Sequence, residues 1–204
     1  MDRYLEMGLI EISHANCCSR PIIVKKSSGR HQIAVALNEL NEATILDCYP
    51  LPRIIDNLDS LSGAKYLTSI DICGAYHSIP VAESSRNYFT FITPFGLFRW
   101  KRLPYGWRNA GTHFCFYLDR LLADLKYCIM CSYSDDLIVY GGDTFEEHLK
   151  CVNLVFNRLQ EGGLRIKKSL CDWQNAASNK VVASTEIEGQ FVEPLLQLIE
   201  LRSQ

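Results

Sequence analysis

Cys128-Ile129-Met130-Cys131-Ser132-Tyr133-Ser134-Asp135-Asp136-Leu137-Ile138-Val139-Tyr140 is an apolar run, a pair of adjacent aspartates and a second apolar run. Segments of this length rich in Ile, Val and Tyr suit the pleated, half-buried surface of a strand. Ser134 and Asp135 between them are turn formers, because their side chains bond to nearby backbone. The stretch therefore predicts a β-hairpin with carboxylates at its tip. Neighbouring carboxylates repel and raise one another's pKa. A wet turn tolerates that, and a bound cation turns it to advantage. Both readings stand on the dipeptide alone, the solvated turn being the commoner. A second strand-borne aspartate upstream, Asp71 in Tyr66-Leu67-Thr68-Ser69-Ile70-Asp71-Ile72, adds weight to the cation.

Working outward, the 204 residues are 48% apolar, enough for one substantial core or two smaller lobes. The longest uncharged stretch, residues 87–98, contains Pro94 and Gly96 and is too short to span a bilayer. No partner membrane is expected. The first residues are charged and lack a signal-peptide core. Nine cysteines, an odd number without zinc spacing, point to reduced thiols and an intracellular setting. The net charge of −2 does not advertise nucleic-acid binding, but its distribution is uneven. Arg20, Lys25, Lys26 and Arg30 fall in a stretch without acidic residues, as do Arg99, Lys101, Arg102 and Arg108. Such basic segments suit phosphate, or are ordinary solvated faces.

Apolar periodicity predicts the remaining elements. Residues 3–12 read as a short helix with Leu5, Leu9 and Ile10 inward. Strands over 21–26 and 32–37 flank the turn Ser27-Ser28-Gly29-Arg30 and make a hairpin with a basic tip. Residues 38–51 read as irregular. Pro52 suits the first turn of a helix, where its missing N–H costs least, and Ile54, Ile55, Leu58 and Leu61 give that helix an apolar face up to Gly63. A strand over 65–72 delivers Asp71, and Gly74-Ala75-Tyr76-His77 turns the chain. Strands over 88–93 and 97–103 flank Pro94-Phe95-Gly96. Residues 109–125 predict the longest helix, with Phe114, Tyr117, Leu118, Leu121, Leu122 and Leu125 as a core stripe. Thr144-Phe145-Glu146-Glu147 is a capping box, opening a helix with Leu149, Val152, Phe156 and Leu159 on its buried side and Gly162-Gly163 at its end. Residues 164–167 read as a short strand. Residues 172–204 carry five acidic and two basic residues and read as a divergent tail or truncated lobe. The order is that of an α+β fold with helices packed on an antiparallel sheet.

Several blocks occur together in one order: Tyr49-Pro50-Leu51-Pro52-Arg53, Leu61-Ser62-Gly63-Ala64-Lys65-Tyr66, Asp71 to Tyr76-His77, Thr93-Pro94-Phe95-Gly96-Leu97, Leu103-Pro104-Tyr105-Gly106, Tyr133-Ser134-Asp135-Asp136, Thr144 to Leu149 and Gly163-Leu164-Arg165. With them, residues 1–171 resemble the reverse transcriptase domain of gypsy-type LTR retrotransposons and, more distantly, the retroviral enzymes. The resemblance implies a right-hand polymerase with fingers over about 1–46 and 79–108 and an antiparallel palm, helices on one face, over about 47–78 and 109–171. The thumb is expected to be missing or truncated. It implies an RNA-directed DNA polymerase that adds dNTPs to a primer 3′-hydroxyl on an RNA or DNA template, as part of a polyprotein.

The resemblance also assigns residues. Asp71, Asp135 and Asp136 match the carboxylates that hold two Mg²⁺ ions, with Mn²⁺ as a substitute; Tyr133 and Ser134 complete their motif. Tyr76 matches the aromatic gate that excludes a ribose 2′-hydroxyl. Tyr105 and Gly106 match the loop beside the nascent base pair, and Lys25 and Lys26 the fingertip lysines on the triphosphate. The returning finger strand departs from the family. It has Gln32 where an arginine is usual and Ala36-Leu37-Asn38 in place of Asp-Tyr-Arg; Arg30 is the candidate substitute for the arginine. Asn109-Ala110-Gly111 replaces Asn-Ala-Pro. These departures keep a second reading open: a degenerate or truncated remnant without polymerase activity, at most a nucleic-acid-binding module.

Overall fold

Gly8 ends the first helix early. In the computed structural model, which describes residues 1–25, 29, 31–175 and 180–183 and only the backbone from residue 167 onward, α1 spans Asp2–Glu6 and β1 spans Ile10–Ile12. The single helix expected over residues 3–12 is therefore a helix and a strand. Leu5 and Leu9 have helical spacing, but Ile10-Glu11-Ile12 alternates and pairs with a distant strand. β2 (Arg20–Lys25) and β3 (His31–Ala36) form the expected hairpin. α2 (Asn38–Ala43) lies where irregular chain was expected, a short helix of polar residues with no apolar stripe to reveal it. α3 (Ile54–Ser60) begins after Pro52, with Arg53 as its N-cap, so the proline precedes the helix rather than opening it. Its buried face is Asn57 and Leu61, while Ile54 and Ile55 face outward, against the expected apolar face.

β4 (Tyr66–Ile72) is followed by α4 (Ala75–Ser78), one turn of helix where a plain turn was read. A 3-10 helix over Glu83–Phe89 takes the first residues of the strand expected from 88, leaving β5 (Thr90–Thr93) and β6 (Gly96–Trp100). α5 (Ala110–Leu121), β7 (Met130–Tyr133), β8 (Asp136–Val139) and α6 (Phe145–Glu161) follow. The capping box is present in both directions between Thr144 and Glu147. The buried residues of α6 are His148, Val152, Val155 and Leu159, a stripe rotated from the expected one, with Leu149 turned to solvent. β9 (Ile166–Asn175) runs past residue 172, where a tail was expected, and β10 (Lys180–Ala183) pairs with it.

The chain forms two interleaved units, Met1–Tyr49 with Gly74–Phe114 and Pro50–Cys73 with Cys115–Gln204. The first holds the sheet β1-β6-β5 and the hairpin β2-β3. Its core gathers Ile10, Val35, Leu37, Phe91, Trp100 and Leu103. On β1, Glu11 accepts from Arg99 at 2.8 Å and Arg86 at 3.3 Å. Burial alone would raise its pKa, but the two guanidiniums outweigh it and hold the carboxyl below its usual range.

The second unit is an antiparallel five-stranded sheet, β10-β9-β4-β8-β7. Thr68, Ile70 and Ile72 of β4 and Leu137 and Val139 of β8 are buried on one face, against which α6 packs, and α3 packs at β7. The expected α+β class is the observed one.

Candidate active site

The register of β4, β8 and β7 decides where the three aspartates stand. Tyr133 pairs with Asp136, so Ser134 and Asp135 are the two loop residues of a tight hairpin, as expected. Ser134 has φ +58°; among the described residues it and Tyr127 are the non-glycine residues with positive φ. A positive φ at the first loop residue alone is the pattern of a type II′ turn, whose twist matches that of the flanking strands. On the other side Asp136 pairs directly with Asp71. Directly opposed residues hold their Cβ atoms about 4.5–5.5 Å apart. The Ile72 N–H donates to the Asp135 carbonyl at 3.4 Å, which ties the turn to the end of β4. One hairpin and one neighbouring strand thus bring all three aspartates to one edge of the second unit. Asp71 and Asp136 are half-buried and Asp135 is exposed. Strand alternation explains the first two: Ile70, Ile72 and Leu137 take the core face, and the aspartates between them take the other.

Two polar ties, neither foreseen, hold these strands from the core side. Asn57 of α3, 2% exposed, donates from Nδ2 to the Ser132 carbonyl at 3.0 Å. His148 of α6, wholly buried, lies 2.8 Å from the Thr68 hydroxyl through Nε2 and 2.8 Å from the Gly141 carbonyl through Nδ1. A carbonyl only accepts, so Nδ1 carries a proton and donates to Gly141, while Nε2 and the Thr68 hydroxyl share the second hydrogen bond. One buried imidazole thereby fastens β4 and the exit of β8 to the first turn of α6. The sequence offers no signal for either residue, because a polar side chain is drawn inward by partners far along the chain.

Like charges placed directly opposite one another across a ladder are destabilising, and a cation removes that cost. Among the described residues no group of three or more His, Cys, Asp or Glu side chains is arranged to hold a metal ion. The donors nevertheless fit Mg²⁺. It takes hard oxygen ligands, and it is held by one or two carboxylates together with substrate phosphates rather than by a cage made wholly of protein. Two thiols of this unit are held protonated by their burial. Burial pushes Cys131 up to about 11 and raises Cys115, so both stay protonated at neutral pH.

The residues assigned to the incoming nucleotide belong to the first unit. Tyr76 on α4 and Tyr105 meet with ring centroids 5.1 Å apart. Gly106, at φ +106°, runs so close to β3 that a Cβ there would stand 2.5 Å from the Val35 carbonyl oxygen. Lys25 is exposed and pairs with His31, the pair of the β2–β3 ladder nearest its connecting turn. Lys26 and Arg30 lie outside the described residues. Gln32 pairs with Val24 on that hairpin, and Leu37 is 1% exposed within the core of the first unit, so its apolar side chain serves packing.

Residues 20–182 match the family model described as reverse transcriptase (RNA-dependent DNA polymerase). The chain is 30% identical to the retrovirus-related Pol polyprotein from transposon 297 of Drosophila melanogaster, over 86% of this chain and 17% of that protein. It is 28% identical to the transposon Tf2-3 polyprotein of Schizosaccharomyces pombe, over 84% of this chain and 13% of that protein. It thus spans less than a fifth of the length of these relatives. Among solved structures, a foamy viral protease-reverse transcriptase in complex with double-stranded DNA has the same fold over 81% of this chain and 29% of that one, with a TM-score of 0.75 at 23% identity. A second foamy viral protease-reverse transcriptase, in complex with an RNA/DNA hybrid, matches with a TM-score of 0.72 at 23% identity.

Proposed function

The chain belongs to the reverse transcriptase family, and from that premise we propose that it is the fingers-and-palm part of a retrotransposon RNA-directed DNA polymerase. In this reading the first unit is fingers, the second palm, and the whole protein a polyprotein that works inside the cell. The free thiols of the described residues suit that reducing setting. One observation carries the reading: Asp71 stands directly across the ladder from Asp136, with Asp135 in the adjoining turn.

The reaction joins a primer 3′-hydroxyl to the α-phosphate of a dNTP and releases pyrophosphate, on an RNA or DNA template. Asp71, Asp135 and Asp136 would hold Mg²⁺, or Mn²⁺ in its place, which when bound supplies positive charge to the attacking and leaving oxygens. The chain's own work is positioning. The β4–β8 register fixes two carboxylates, and the tight turn fixes the third. Tyr76 presents a ring that excludes a ribose 2′-hydroxyl, Tyr105 and Gly106 flank the base, and Lys25, with Lys26 and Arg30, offers charge to the triphosphate.

A second reading, a remnant that folds and binds nucleic acid without polymerising, rests on Gln32 in place of arginine on β3. Losing one contact to the transition-state charge costs on the order of 10²–10³ in rate. Primer extension on poly(rA)/oligo(dT) with dTTP and Mg²⁺ or Mn²⁺, beside Asp135→Asn, separates the two. Extension that vanishes in the variant supports the polymerase. A folded protein that extends nothing supports the remnant.

A further inference from the structure

The residue after the proposed gate, His77, sits between the core and the nucleotide-side rings. Its imidazole lies flat on Trp100, with centroids 4.9 Å apart and planes 13° from parallel. Trp100 is wholly buried and is met edge-on by Tyr4 at 5.8 Å, so it is a fixed floor. His77 Nδ1 lies 3.0 Å from the Leu103 carbonyl. That oxygen only accepts, so Nδ1 donates and the ring's rotation is set. The opposite edge of the environment is Tyr105, whose ring meets the imidazole at 84° and 4.9 Å. Edge-to-face contact at this distance is the favoured arrangement of two aromatic groups.

Tyr105 in turn contacts Tyr76 at 5.1 Å. Its backbone is strapped to the core independently: the Val35 N–H donates to the Tyr105 carbonyl at 3.3 Å. The backbone tie fixes where Tyr105 starts, and the imidazole fixes where its ring ends. Tyr76 has a second support, an edge contact with the buried ring of Phe114 at 6.0 Å. The Tyr105 ring thus meets Tyr76 on one side and, on another, an imidazole held by Trp100 and the Leu103 carbonyl.

We propose that His77 is a positioning residue of the nucleotide subsite, holding the Tyr105 ring, and through it Tyr76, against the incoming dNTP. This rests on the polymerase reading above. In this role His77 acts through Tyr105 rather than on the reacting atoms. Its effect is on how well the aromatic pair is placed before nucleotide arrives, and small displacements of positioning groups are felt strongly.

The test uses the full chain with His77→Ala and His77→Phe. His77→Phe keeps a ring between Trp100 and Tyr105 and gives up the hydrogen bond to Leu103. In primer extension with varied dTTP, His77→Ala raises KM about tenfold while kcat stays within about threefold of wild type, and His77→Phe restores most of the KM. Nitration of Tyr105 by tetranitromethane, normalised to the exposed Tyr88, rises severalfold in His77→Ala and stays low in His77→Phe. An unchanged KM in His77→Ala, a loss confined to kcat, or unchanged nitration overturns the proposal. A wild-type chain that extends no primer overturns the polymerase reading instead, and the nitration result then decides the positioning of Tyr105 by itself.

Discussion

Replacing His148 by Leu isolates what one buried imidazole does for the strands that carry the aspartates. The ring is wholly buried and joins the Thr68 hydroxyl to the Gly141 carbonyl, each at 2.8 Å. Leucine fills a similar space and leaves both groups without that partner. An unsatisfied buried donor or acceptor costs about 1–3 kcal/mol, and the added apolar burial returns about 1–2 kcal/mol. The expected net loss is about 2–4 kcal/mol, a large share of the 5–15 kcal/mol typical of a domain. Thr68→Val strands Nε2 in its turn and costs about 1–2 kcal/mol. The pair carries the sharper expectation. In the double variant the hydroxyl that lost its partner is gone, so the combined loss falls short of the sum by about 1–2 kcal/mol. Urea unfolding of the four proteins, read as midpoints at constant m, measures this. If His148→Leu lies within about 0.5 kcal/mol of wild type, or the two losses simply add, the imidazole bridge is wrong.

Three further outcomes follow from named contacts. Gly142→Ala places a Cβ 2.4 Å from the His148 backbone nitrogen at φ +97°, and overlap plus strain lower stability by about 2–4 kcal/mol in the same urea assay. Gly111→Ala, in the first turn of α5, puts its Cβ 3.7 Å from the Tyr76 hydroxyl, an ordinary contact, and raises stability by about 0.5–1 kcal/mol. The Cys131 thiol is held up to about 11 by burial, from an ordinary value of 9.0, so the unfolded chain ionises first. Its contribution is complete below pH 9 and is lost as pH rises from about 9 to about 11, a loss on the order of 2–3 kcal/mol that Cys131→Val abolishes in urea midpoints against pH.

The aspartate hairpin was legible because two short apolar runs around Ser-Asp leave the chain few choices, and the capping box at Thr144 because both its partners lie within one turn. Those signals are local. The misreadings arose where distant partners decide. Leu5 and Leu9 have helical spacing, yet Ile10-Glu11-Ile12 is a strand because β6 offers it a ladder and Arg99 meets Glu11. The stripe of α6 turned toward His148 because Thr68 and Gly141 satisfy a ring that periodicity counts as polar. On α3, Asn57 went inward to the Ser132 carbonyl while Ile54 and Ile55 stayed out. Within the candidate site, a strand-borne Asp71 and a turn-borne Asp135 were legible from motif and spacing, and the opposition of Asp71 to Asp136 across β4 and β8 required the register. Asn57 and His148 carry no sequence signal, because what buries them is written eighty residues or so away, in Thr68 and Ser132.

The most direct test of the site is Mn²⁺ binding, followed by electron paramagnetic resonance of the free ion with dTTP present. The wild-type chain is compared with Asp71→Asn, Asp135→Asn, Asp136→Asn and, as a control, Asp143→Asn, an exposed carboxylate of the same unit paired with Lys65 at 3.2 Å. Each of the first three substitutions is expected to weaken binding by about tenfold or more, and the control to leave it unchanged. Binding that is the same in all four variants as in wild type would contradict a shared cation site on β4 and the β7–β8 turn.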